Sequence, residues 1–116
     1  MNMEQLYAAM NGDYQEAKTR LMNDVLMTRF LKKFLDYSTE GLENPTSVNG
    51  LFEAAHSIKG VAGNLAITGL YNLASELTEA TRGKPEGPLD EYLPKTQAVL
   101  NEYRRVAELI RENLGA

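Results

Sequence analysis

Apolar residues recur along this chain at intervals of three and four, and no stretch alternates in the way of a half-buried strand. Leu6, Tyr7 and Met10 predict a short first helix. Asn11-Gly12 stops it, with Gly12 suited to the position after a helix end. Asp13 opens a second helix, and Glu16 three residues later completes a signature resembling a capping box. Tyr14, Ala17, Leu21 and Met22 give that helix an apolar side. Asn23-Asp24 either caps a further helix or interrupts the same one. From Val25 onward the apolar positions are Leu26, Met27, Phe30, Leu31, Phe34 and Leu35, with Lys32, Lys33 and Asp36 on the wet side. This amphipathic helix is expected to end near Tyr37, with a further turn before Gly41.

Residues 43–47, Glu-Asn-Pro-Thr-Ser, read as a loop. Ser47 or Thr46 is the expected cap of a central helix running from about Ser47 to Leu65. Leu51, Ala55, Ile58, Ala62 and Leu65 form its inward seam, at spacings of four, three, four and three. Thr68 is the expected N-cap of the next helix, with Gly69 in the first turn. Leu70, Leu73, Ala74, Leu77 and Thr81 make its inner stripe, and Tyr71, Ser75, Thr78 and Arg82 a second one. The short connection makes the two helices antiparallel neighbours.

Gly83 to Pro88 is the clearest loop. The last helix offers Leu89, Tyr92, Leu93, Thr96, Val99, Leu100, Tyr103, Val106, Leu109, Ile110 and Leu114 for burial. Pro94 lacks a donor and clashes with a preceding turn, so it sits in the first turn of that helix or kinks a longer one. The sum is an all-α, antiparallel up-down four-helix bundle with additional short N-terminal helices, in a single domain spanning 1–116.

Composition narrows the chemistry. The chain has 116 residues, enough for one core, and no cysteine, which excludes disulfides, thiolate metal sites and cysteine nucleophiles. A formal charge of −4 and the lack of a basic tract argue against nucleic acid. No run of about 18 apolar residues exists, so no membrane span is expected. Met1 to Leu6 carries an acid and no apolar signal core, and a cytoplasmic location is expected. The length and the initiating methionine lean towards a free-standing protein, expected as a monomer.

The chain's one histidine, His56, lies on the central helix. At about 100° per residue it falls roughly 140° round from the apolar seam and should reach water. Lys59, Gly60 and Gly63 share its side of the helix. A lone histidine on a helix is usually an ordinary surface residue. Two interior glycines are less ordinary, since each costs roughly 1 kcal/mol against alanine. Here they strip side chains from the histidine's own face, so that a partner could approach the imidazole.

Other chemistries fit less well. Glu53 to His56 has the E-x-x-H spacing of di-metal bundles, but those use two such motifs facing inward. Ser57 adjoins the histidine in sequence and points elsewhere, which weakens a hydrolase reading. No phosphate-binding glycine motif is present, and Gly83-Lys84 is followed by proline, so the chain has no nucleotide site from which to phosphorylate itself. What remains is an imidazole that accepts a phosphoryl group from another protein and passes it on. Its neutral nitrogen is a competent nucleophile, and a neighbouring ammonium favours the incoming charge.

Ala55 to Leu65, followed by Gly69-Leu70 and Leu73, resembles the histidine-containing phosphotransfer (HPt) domain, whose signature is H-x-[LI]-K-G with small residues and a short turn. The match is dense over about residues 51–82. The resemblance implies a four-helix bundle in which His56 is phosphorylated on Nε2 and shuttles phosphate between aspartates of response-regulator receiver domains. A histidine kinase or hybrid kinase supplies the phosphate in some members. It implies that Lys59 contacts the phosphate and that Gly60 gives the receiver clearance, and Gly63 shares that face of the helix. It also implies no ATP site or enzymatic kinase activity, and magnesium only in the receiver. Members often hold the other imidazole nitrogen with a polar residue on the following helix, where Thr78 stands here, with Ser75 a turn earlier. Arg82 and Phe52 are candidate receiver contacts. The alternative is a helical adaptor that binds a receiver or kinase without carrying phosphate.

Overall fold

A computed structural model describes residues 1–115. Among these, seven α-helices and one 3₁₀ turn are present and no strand. The helices are α1 (Met3–Ala9), α2 (Tyr14–Leu21), α3 (Asp24–Phe34), α4 (Glu40–Glu43), α5 (Val48–Asn64), α6 (Thr68–Thr81) and α7 (Leu93–Leu114), with the 3₁₀ turn at Asp90–Tyr92. The four longest, α3, α5, α6 and α7, form the expected bundle. α5 packs chiefly on α6, α6 on α7, and α7 on α3. Among the described residues no helix is long and apolar enough to cross a membrane.

Local chemistry sets most of the boundaries. Asn2 caps α1 in a full capping box with Gln5. Asp13 accepts from the Glu16 amide at 3.0 Å, but the Glu16 carboxylate pairs with Arg20 at 2.7 Å, so only half of that box forms. Asn23 decides the open question at its position: its side chain accepts from Leu26 N, so α2 and α3 are separate helices. Ser47 caps α5 through Gly50 N. Pro94 sits in the first turn of α7, where its missing donor costs nothing.

Several boundaries differ from expectation. α3 ends at Phe34, three residues before Tyr37, and the turn before Gly41 is a helix, α4, that contains Gly41. Thr68 is the first residue of α6 and makes no side-chain cap. The left-handed residue after α1 is Asn11 at φ 57°, not Gly12. Gly12 is small for another reason: a Cβ there would lie 2.8 Å from the Tyr7 ring and 3.0 Å from the Ala66 carbonyl.

All five residues of the α5 seam are buried, as are Leu70, Ala74, Leu77 and Thr81 on α6. Three positions expected on the apolar sides of their helices are exposed: Met22 at 75%, Leu93 at 47% and Phe30 at 40%. Met22 and Leu93 lie at or within one residue of a helix end, where the chain leaves the apolar stripe, whereas Phe30 lies inside α3 and faces a surface groove.

Both ends of the α5–α6 hairpin are tied down. At the connection, Tyr7 Oη donates to the Leu65 carbonyl at 2.8 Å, Asp13 N to the Ala66 carbonyl at 2.8 Å, and Gly69 N to the Asn11 carbonyl at 2.9 Å. At the other end, the Glu86 carboxylate accepts from Val48 N and Asn49 N, at 2.7 and 2.9 Å. Glu86 thus satisfies amides that the first turn of α5 leaves open.

Candidate functional site

His56 follows from the α5 seam. With Ala55 and Ile58 buried, the two residues between them, His56 and Ser57, face away from the core, and both are exposed. His56 lines an open groove of about 480 Å³, bounded by Lys59, Gly60 and Gly63 of α5, Tyr71 of α6, and Asp13, Glu16 and Arg20 beside and on α2. Among the described residues no three acidic or histidine side chains converge closely enough to hold a metal ion.

The two glycines do different things. A Cβ added at Gly60 would meet nothing within 4 Å, so that position opens onto the groove. A Cβ at Gly63 would lie 3.2 Å from the Tyr71 ring. Gly63 therefore makes room for the Tyr71 ring to lie against α5 at the edge of the groove. That ring carries the Lys59 ammonium, 5.9 Å from its centroid. Lys59 is half-buried rather than fully exposed, its stem covered while its charge faces the groove.

The second helix does not supply the hydrogen bond expected from it. Thr78 is fully buried, and its hydroxyl donates to the Ala74 carbonyl at 2.7 Å. Threonine satisfies itself on its own helix in this way because its hydroxyl reaches the carbonyl one turn back. Ser75 Oγ is buried and has no hydrogen-bond partner among the described residues. Among the described residues neither hydroxyl is bonded to His56.

Phe52, one turn before His56, is half-buried beside it. The two rings stack nearly parallel, with centroids 5.7 Å apart and planes at 8°. The Arg82 guanidinium carbon lies 5.2 Å from the Phe52 centroid. Arg82 is exposed and donates to Glu79 at 3.1 to 3.3 Å. This hydrogen bond holds the Glu79 carboxyl below its usual range, and the Lys59 charge acts in the same direction.

The sequence reading did not include Tyr71, Glu16 or Arg20 in the site. Glu16 and Arg20 are four apart on α2, a spacing that reads as a surface ion pair. Only the stitching of the N-terminal segment to the α5–α6 connection brings that pair to the groove. A second, more apolar groove of about 240 Å³ adjoins the first at Asn64 and is lined by Phe30, Tyr37, Val61 and Leu65 among others.

The Hpt domain family matches residues 2–112 of this chain. No curated protein and no solved structure matches it.

Proposed function

The chain belongs to the Hpt domain family, which serves phosphorelay phosphotransfer in two-component signalling, and from that premise we propose that it is a phosphocarrier working through His56. The observation that carries this reading is the placement of the chain's one imidazole in an open groove, with a cation one turn away and no side chain at Gly60.

In the forward step a lone pair on the imidazole Nε2 attacks the phosphorus of a receiver's aspartyl phosphate. The N–P bond forms as the P–O bond to the aspartate breaks. The carboxylate leaves with the electron pair, and the ring keeps its Nδ1 proton. The reverse step delivers the phosphoryl group to the aspartate of another receiver. A histidine kinase is the other class of donor. Lys59 offsets the charge of the phosphoryl oxygens, and the groove excludes little, because the donor must enter it. The receiver brings its own magnesium ion. The apolar groove beside Phe30 and Tyr37 takes part in docking that receiver.

The test is transfer of label from a phosphorylated receiver. The protein should acquire an acid-labile, base-stable phosphate, and His56→Gln should abolish it. Label that persists in His56→Gln would overturn the assignment. Tight receiver binding without transfer would favour the adaptor.

A further inference from the structure

An exposed imidazole on a helix samples several rotamers, and attack requires one ring plane and one nitrogen lone pair in line with the phosphorus. Something must fix that plane. A hydrogen bond from α6 does not: the Thr78 hydroxyl is engaged by Ala74, and Ser75 Oγ is buried without a hydrogen-bond partner among the described residues. The contact that defines the imidazole plane is the stack on Phe52.

We infer that Phe52 is the positioning residue of His56, holding the imidazole by ring stacking, with Arg82 and Glu79 steadying Phe52 from the neighbouring helix. The inference deepens the phosphocarrier reading and rests on it for its kinetic arm. The centroid separation of 5.7 Å and the 8° angle fit an offset stack. Phe52 is itself restrained. Its helix position is fixed by the buried neighbour Leu51, and the Arg82 guanidinium sits over its ring. Arg82 is in turn anchored at the end of α6, by its amide to the Thr78 carbonyl at 2.9 Å and by its side chain to Glu79.

Stacking differs chemically from a hydrogen bond as a way to hold imidazole. A hydrogen-bonded orienter occupies one ring nitrogen. A stacked ring occupies a face and leaves both nitrogens free at the edge, where the nucleophilic lone pair lies. Phe52 can therefore set the plane before and after the phosphoryl group arrives, whichever nitrogen carries a proton.

The experiment has two arms. By NMR, the carbon-bound imidazole protons of His56 should be shifted upfield by the Phe52 ring current, relative to the unfolded chain. That shift should vanish in Phe52→Leu, persist in Phe52→Tyr and shrink in Arg82→Ala, whose exposed position makes loss of fold no concern. By kinetics, Phe52→Leu should lower the maximal rate of transfer from a receiver about tenfold, at an unchanged half-saturating receiver concentration. Phe52→Tyr should restore it. Phosphorylation by phosphoramidate, a small donor free to approach any ring orientation, should be nearly unaffected. An absent upfield shift in the native protein overturns the inference. So does full receiver transfer in Phe52→Leu, failure of tyrosine to rescue, or an equal loss with phosphoramidate. If no receiver labels the native protein, the phosphocarrier reading fails, and the NMR arm still decides whether Phe52 sets the ring.

Discussion

Gly63 and Tyr71 meet across the α5–α6 interface, where a Cβ on the glycine would lie 3.2 Å from the ring, while Gly60 one turn earlier faces open space. The two glycines should therefore respond differently to the same substitution. Gly60→Ala should stabilise the fold by about 0.5–1 kcal/mol, since alanine is the better helix former and meets no neighbour. The same methyl should slow transfer from a receiver about tenfold, because it fills space that the partner needs. Gly63→Ala gains the same propensity but pushes Tyr71 outward, so its stability should change by less than about 1 kcal/mol. Its transfer should fall through Lys59, which loses its aromatic support. Urea melts and the transfer assay on both variants check this. Equal effects at the two positions would refute the division of roles.

Lys59→Ala should slow receiver transfer by roughly ten- to a hundredfold, as expected for removing one charge from a phosphoryl site. Its urea midpoint should hardly move, since the ammonium has no carboxylate partner within ion-pair distance among the described residues. Tyr71→Leu should give a smaller loss of rate, because it removes only the support beneath the ammonium. A Tyr71→Leu rate below that of Lys59→Ala would place the phosphate contact elsewhere.

Tyr7 is buried, and burial pushes its phenol well above the ordinary value of 10. The folded state thus binds the proton more tightly than the unfolded one. The associated stability is fully present below pH 10 and is lost as the pH rises beyond it. Tyr7→Phe should cost about 1–2 kcal/mol at neutral pH by leaving the Leu65 carbonyl without its donor. It should also blunt the alkaline fall in stability. Urea midpoints measured from neutral pH into the alkaline range test both effects, and an undiminished alkaline fall would assign it to the other tyrosines.

The outline of this site was legible in the sequence because it rests on one helix. The spacing of Leu51, Ala55, Ile58, Ala62 and Leu65 sets which way α5 faces, and that alone turns His56 outward and puts Lys59 and Gly60 beside it. Contacts between helices were harder. Thr78 stands where the family resemblance led one to expect a partner for the imidazole, yet position does not reveal that its hydroxyl is already used by Ala74. Gly63 read as clearance because sequence spacing does not show where the Tyr71 ring falls. The ends of helices were least legible. Met22 and Val25 continue apolar patterns, but the backbone turns at Met22, with φ 75°, and carries both side chains into solvent.

Glu86, far along the chain from His56, bears on how such a carrier would behave. Its grip on the start of α5, with the Tyr7 and Asp13 bonds at the far end, leaves the hairpin little freedom to change shape. In the proposed role the same rigid face would meet every donor and every acceptor. A carrier with one shape has no second state in which to store a preference for giving over receiving. The direction of phosphate flow would then be set by its partners, through their concentrations and the stability of their own aspartyl phosphates.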